Sequence, residues 1–209
     1  MISDLYPCGF VVQSSEPSRV LTIHEESESS HNGIGRYLTW PLDYVQNDPI
    51  ADQFWKEALH CWFCYRDERV WSVPDKDYIT RYVDYCESLG IKTRVLSLWS
   101  VLDFSIEIER DESQSRFLGF DYSGGDLDGS VLFFDLFDMI EDEVTYRFTG
   151  ARRVLNENGL FSNIEDAKQY VELRTKLEKE YDLEDMYEPQ ILGLYLVKDF
   201  SQSLDDSNI

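Results

Sequence analysis

The sequence predicts an α+β protein: an antiparallel or mixed sheet with helices packed on one side of it, in a single domain. Three observations predict this class. Apolar residues recur at helical spacing in two segments of the first half and in one segment of the last third. Near Ile91 the period switches from helical to strand-like, and Phe104, Ile106 and Ile108 alternate with Ser105, Glu107 and Glu109. The resulting order β, α, α, β-β-β, α, α, β segregates helices from strands, where a doubly wound sheet would alternate them. With 209 residues, 43% of them hydrophobic, the chain can build a substantial core. Five Trp, 13 Tyr and 12 Phe separate it from acidic disordered chains, which are poor in aromatics.

Taken in order, Cys8 to Gln13 and Arg19 to His24 read as two short strands joined by a Ser/Glu/Pro turn. Ser27 to Gly35 is polar, carries an Asn32-Gly33 turn signal, and reads as a loop. Asp48-Pro49 supplies an N-cap and a first-turn proline. The helix that follows places Ala51, Phe54, Trp55, Ala58, Leu59 and Trp62 on one face. A second helix starts near Pro74-Asp75, buries Tyr78, Ile79, Tyr82, Val83, Cys86 and Leu89, and stops at Gly90. Lys92 to Trp99 and Val101 to Arg110 read as strands. Asp111 to Ser115 turns the chain so that Arg116 to Tyr122 pairs back as a hairpin strand.

Ser123 to Gly129 has loop composition, and Ser130 to Glu143 reads as a short helix, although Val131 to Phe134 would also suit a strand. Asn163, with Asp166 three residues on, caps a helix with Ile164, Ala167, Tyr170, Val171, Leu173, Leu177 and Tyr181 as its buried stripe. Ile191 to Val197 reads as a buried strand. No composition break divides the chain. Residues 1–200 are therefore expected to form one domain and 201–209 a polar tail.

Charge narrows the range of partners. Forty-one acidic against 19 basic side chains give a net charge of -22, a field that repels nucleic acid and anionic lipid. The only adjacent basic pair is Arg152-Arg153. No apolar run approaches the roughly 20 residues that cross a bilayer, and the N-terminal residues lack the basic start and long apolar run of a signal peptide. A cytoplasmic protein with reduced cysteines, and neither direct nucleic-acid binding nor membrane binding, is the expectation.

Catalytic signatures are weak. His60-Cys61 and Cys64 supply half of a zinc-site pattern, but the second cysteine pair is missing, and Cys86 falls on the buried helical stripe. None of His24, His31 or His60 sits in a recognisable nucleophile setting, and no nucleophile elbow, Walker loop or dinucleotide fingerprint occurs. Asp126-Leu-Asp128 is a common pairing in so acidic a chain, and Asp121 to Leu132 lacks the Glu that would close a calcium loop. No metal and no cofactor are expected.

What stands out is where the charge sits. Between Asp103 and Glu143 there are 13 acidic residues and only Arg110 and Arg116 to oppose them. Glu107 and Glu109 would share the outer face of a strand, while Asp135, Asp138 and Asp142 would form one stripe of a helix. Spreading the charge would serve solubility at lower self-repulsion. A cluster with aromatics beside it suits docking to a basic protein, charge steering the encounter and an aromatic such as Tyr122 anchoring it. A solvated acidic face is the competing reading, as is Tyr122 serving as an ordinary strand residue.

Phe117-Leu-Gly-Phe-Asp-Tyr-Ser-Gly-Gly125, Leu155-Asn-Glu-Asn-Gly-Leu-Phe161 with the helix after it, and the closing Leu194-Tyr-Leu-Val197 resemble immunity proteins of bacterial polymorphic-toxin systems. The resemblance covers about the C-terminal 95 residues. It implies a small acidic cytoplasmic protein that binds and neutralises a cognate toxin domain, often a nuclease, without catalysis of its own. Contact residues do not carry over from such a family. The acidic surface itself nominates Glu107, Glu109, Asp121, Tyr122, Asp126, Asp128, Asp135, Asp138 and Asp142 as the partner-binding set. Two other functions fit the same residues: a DNA mimic that inhibits a DNA-binding enzyme, and a metal-dependent enzyme using paired carboxylates.

Overall fold

A computed structural model describes residues 5–17, 34, 37–40, 48–61, 63–65, 68–103, 105, 108, 115–123, 155–180 and 190–200. Ten elements lie within them. Strand β1 (Tyr6–Pro17) and the short β2 (Tyr37–Thr39) precede helix α1 (Pro49–Cys61). The strands β3 (Phe63–Tyr65) and β4 (Glu68–Ser72) follow, then helix α2 (Lys76–Ser88) and strand β5 (Thr93–Ser100). Strand β6 (Arg116–Ser123), helix α3 (Ile164–Glu180) and strand β7 (Gln190–Lys198) complete the order. Five strands form one sheet in the order β2-β1-β5-β7-β6, antiparallel at every pairing, and β3 pairs with β4 separately. The α+β class is the one the sequence predicts.

Local chemistry sets the helix boundaries. Asp48 caps α1, its Oδ1 accepting the N–H groups of Ile50 at 2.8 Å and Ala51 at 3.3 Å, and Pro49 occupies the first turn. Asp75 caps α2 by accepting the N–H of Tyr78 at 2.9 Å. At the other end Gly90, with φ +79°, lets its own N–H reach the Glu87 carbonyl and that of Ile91 reach Cys86. These two bonds are a Schellman stop, and they satisfy carbonyls the helix itself leaves unpaired. Asn163 caps α3, its Oδ1 accepting from the N–H of Asp166 at 2.9 Å while its Nδ2 donates back to the Asp166 carboxylate at 2.6 Å.

The core sits on the central strands. β5 is buried from Val95 to Ser100, both faces included, and Leu192, Leu194 and Tyr195 of β7 are buried beside it. Such two-sided burial is why both strands read as near-continuous apolar runs. α2 lies against β1 and β5, and α3 against β6 and β7. Tyr78, Ile79, Tyr82, Val83 and Cys86 join the larger core with Leu96 and Leu98, whereas Ala167 and Tyr170 pack with Phe120, Tyr122 and Phe161 in a smaller aromatic one. Each fully buried Leu, Ile or Phe contributes about 1.5–3 kcal/mol. Lys198, 1% exposed, ties the end of β7 to α2 and β5: its Nζ donates to Glu87 at 2.6 Å and to the Thr93 carbonyl at 2.8 Å.

Several expectations are corrected. β1 runs on through Ser14 to Pro17, where a turn was expected, because the edge it offers is paired with β2. The expected strand Val101–Arg110 is not one at its described positions: Asp103 Oδ1 accepts the N–H of Ser105 at 2.8 Å, and Ser105 takes φ +57°. This Asx turn interrupts the extended chain despite the alternating pattern. β6 pairs with β7, and the turn expected at Asp111–Ser115 lies outside the described residues except for Ser115. Trp55 and Leu89, expected on buried stripes, are 42% and 45% exposed. Leu89 lies just past the last helical residue, and on α1 the buried positions that are described are Ala51 and Phe54. Arg19–His24 and Ser130–Glu143 lie outside the described residues, as does the Ser27–Gly35 loop except for Ile34.

Candidate functional site

The region nominated by sequence begins on β6, an outer strand of the sheet. Backbone groups of alternate residues point to the same edge of a strand. At Leu118, Phe120 and Tyr122 that edge faces away from β7, and all three positions are closed. The Leu118 carbonyl accepts Nδ2 of Asn156 at 2.7 Å and of Asn158 at 3.2 Å. Phe120 exchanges both of its backbone bonds with Phe161, at 2.8 and 2.9 Å. The N–H of Tyr122 donates to Oδ1 of Asp121 at 2.8 Å.

The loop that closes this edge is built around Asn156. Its side-chain oxygen accepts from the N–H groups of Asn158 and Leu160, and its backbone N–H bonds the Leu160 carbonyl at 2.8 Å. Gly159, at φ +74°, turns the chain. Gly119 makes the seat. It lies at a register shift of β6, has φ +146°, and an added Cβ would stand 2.6 Å from Leu160 Cβ and 2.9 Å from Asn156 Nδ2.

Two nominated residues therefore have a different place from the one expected. Asp121 is 0% exposed and Tyr122 3%, so neither lies at the surface. Tyr122 packs on Tyr170 of α3 with ring centroids 5.0 Å apart and hydroxyls 3.5 Å apart, and Asp121 holds the backbone of the strand edge. An aromatic beside an acid reads as a surface anchor in sequence; on a strand covered by α3 the same pair is core and edge cap. Glu107, Glu109, Asp126, Asp128, Asp135, Asp138 and Asp142 lie outside the described residues.

The cross-strand register shows where the described strands end before those segments. Tyr6 stands opposite Ser100, Ser100 opposite Leu192, and Leu192 opposite Asp121, one row across β1, β5, β7 and β6. β5 and β6 run in the same direction with β7 between them, so both leave the sheet at this end. β5 leaves through Val101, Leu102 and Asp103; β6 leaves through Ser123 into the sequence that carries Asp126 and Asp128. At this end Tyr6 is 40% and Leu102 39% exposed, and Asp103 is exposed. The Leu102 N–H donates to Ser100 Oγ at 3.0 Å where the chain bends just past the end of β5. Sequence reading counted Asp103 in the acidic run but nominated none of the three as a contact. The Asp103-x-Ser105 Asx-turn pattern could have shown that the strand does not run on past Asp103.

Other reactive groups have structural settings. Burial pushes the Cys8 thiol up to about 12, which keeps it protonated and unreactive. Cys86 is also buried, and Cys61 and Cys64 have side chains outside the described set. The Tyr85 hydroxyl donates to Asp48 at 2.5 Å; this bond holds Asp48 below its usual pKa and raises Tyr85 to about 12. Among the described residues no three His, Cys, Asp or Glu side chains are grouped to hold a metal ion. Their charge is modest: 18 acidic against 12 basic side chains, or -6 of the -22 carried by the whole chain. No helix among them is long and apolar enough to cross a membrane.

No protein-family model matches the chain. No curated protein and no solved structure matches it either. The stretches Phe117–Ser123, Leu155–Phe161 and Leu194–Val197 share a physical logic in the fold. β6 is the first, the Asn156 loop that closes its edge is the second, and β7, its neighbour in the sheet, holds the third. Their residues are spent on building this half of the fold.

Proposed function

We propose that this chain is a non-enzymatic immunity protein that binds and neutralises a cognate bacterial toxin domain through an acidic surface. The observation that carries the reading is the charge distribution: 13 acidic against 2 basic residues between Asp103 and Glu143. A dense negative surface attracts a positive one, speeds encounter and selects among partners. A toxin that acts on nucleic acid carries a basic cleft to hold phosphates, and covering that cleft or its rim would block it. The acidic residues available for this are Glu107, Glu109, Asp126, Asp128, Asp135, Asp138 and Asp142. Asp121 and Tyr122 leave the set, since their side chains are committed to the strand edge and the aromatic core. The cytoplasm, where a toxin would be met, is the proposed location.

Capture of tagged protein from lysate of its own organism, at low and high salt, tests the proposal. The expected result is one predominant basic partner retained at high salt, whose toxicity on expression is abolished by co-expression of this chain. The triple variant Asp135→Lys, Asp138→Lys, Asp142→Lys should slow association and blunt its salt dependence. Retention of many DNA-binding proteins at low salt alone would point instead to mimicry of DNA. A stoichiometric rise in melting temperature with calcium, magnesium or manganese, and no partner at either salt, would favour the carboxylate enzyme.

A further inference from the structure

We propose that the Ile34 peptide unit is a tie across the sheet, coupling the seating of the Asn156 loop on β6 to strand β1. Ile34 belongs to the connection between β1 and β2. Its N–H donates to the Asn158 carbonyl at 2.8 Å, and its carbonyl accepts Nε2 of Gln13 at 3.3 Å. Asn158 in turn donates its Nδ2 to the Leu118 carbonyl of β6 at 3.2 Å. The bonds therefore run from β1 to β6, which the sheet order separates by β5 and β7, three strand spacings or about 14 Å.

The tie lies over one face of the sheet. Residues two apart on a strand share a face, and so do directly paired residues. Gln13 thus shares its face with Val11, Val11 with Leu96 opposite it, and Leu96 with Leu98. Leu98 stands opposite Leu194, and Leu194 opposite Gly119, on which Leu160 of the loop is seated. Ile34, 1% exposed, belongs to the same core as Val11, Leu96, Leu98, Leu194 and Leu160. Lifting the loop from β6 therefore breaks the Ile34–Asn158 bond or draws Ile34 out of the core. Gln13 is itself fully buried, and its Oε1 has no hydrogen-bond partner among the described residues. A buried amide with one atom unsatisfied adds little net stability, so what Gln13 contributes is the position of Ile34. The consequence falls on the sheet edge: the tied loop keeps the outer backbone groups of Leu118 and Phe120 from pairing with another chain. This role is independent of the partner proposed above.

Amide hydrogen exchange of the full chain, read residue by residue, tests the coupling. In the unaltered chain the amides of Ile34, Asn156, Phe120 and Phe161, each bonded within the tie or the loop, should open as one unit with the same dependence on denaturant. Gln13→Met keeps the volume and removes the donor to Ile34. It should speed exchange at Asn156, Phe120 and Phe161 about fivefold while leaving the amides of β5 and β7 unchanged. Ser72→Ala removes a different buried bond to β1, from Ser72 Oγ to the Cys8 carbonyl, and should leave all three loop amides as they are. Exchange at Ile34 through a separate, less costly opening than the loop's would overturn the proposal. So would loop rates in Gln13→Met that stay unchanged or rise only in step with β5 and β7, or an equal rise in Ser72→Ala. Because the first measurement uses the unaltered chain, it decides the coupling even if Gln13→Met fails to fold.

Discussion

Replacing Gly119 by Ala gives the most direct test of how the C-terminal half is assembled. Two costs arise at this residue. Its φ of +146° belongs to a region that L side chains avoid, at a cost of about 1–3 kcal/mol. The new methyl would also stand 2.6 Å from Leu160 Cβ and 2.9 Å from both Asn156 Nδ2 and the Phe161 carbonyl oxygen. Two of these three atoms are close to the backbone and cannot swing aside, so the loop must move away. Such overpacking costs about 1–3 kcal/mol, and moving the loop weakens the Asn156–Leu118 bond, worth about 1 kcal/mol. Together the substitution should destabilise by about 3–7 kcal/mol. Gly90→Ala is the matched control, because Gly90 has φ +79° with nothing within 4 Å of its added Cβ. It should cost only the backbone strain, about 1–2 kcal/mol. Urea unfolding followed by tryptophan fluorescence measures both. If Gly119→Ala loses no more stability than Gly90→Ala, the loop does not seat on β6 as described.

Asn156→Ala removes the acceptor for Asn158 and Leu160 and the donor to Leu118, and should lower stability by about 2–3 kcal/mol, with faster amide exchange at Phe120 and Phe161. Lys198→Met takes away a buried ammonium and the donor to the Thr93 carbonyl; since Glu87 is 35% exposed and can regain water, a loss of about 1–3 kcal/mol is expected by urea unfolding. The raised thiol of Cys8 and hydroxyl of Tyr85 favour the neutral forms in the folded state. Their contributions are complete below the unfolded values of 9 and 10 and are lost as pH rises toward 12, so stability should fall across that range, less steeply in Tyr85→Phe. Asp48 acts in the opposite direction: its lowered pKa stabilises above 3.8, and that contribution disappears as pH falls below it. Thermal melts across pH would show a Tyr85→Phe curve parallel to the parent if the Asp48–Tyr85 bond is absent in solution.

Sequence by itself determined whatever depends on near neighbours. Caps and stops are read from residues within one helical turn, so Asp48-Pro49, Asp75, Gly90 and the Asn163–Asp166 pair located α1, α2 and α3. Periodicity found β5 and β7 because burial on both faces leaves an apolar run, and the α+β class followed from the order of those elements. The concentration of charge between Asp103 and Glu143 is likewise a property of the chain itself.

Tertiary structure decided who pairs with whom, and with that which side chains are inside. Alternation at Phe104, Ile106 and Ile108 suggested a strand running from Val101, yet the Asx turn at Asp103 and Ser105 interrupts it, and the described strand that pairs with β6 is β7, distant in sequence. Three-residue strands such as β2 and β3 are too short for periodicity to reveal; β2 is defined by β1, distant in sequence, and β3 by pairing with the next strand, β4. Asp121 and Tyr122 carry the same side chains in a surface patch or a closed strand edge. The approach of α3, more than thirty residues on, puts Tyr122 inside, and Asp121 is buried next to it on the same strand. The alignment of Tyr6, Ser100, Leu192 and Asp121 in one row is of the same kind, because register across four strands is fixed by long-range hydrogen bonds that local spacing does not encode.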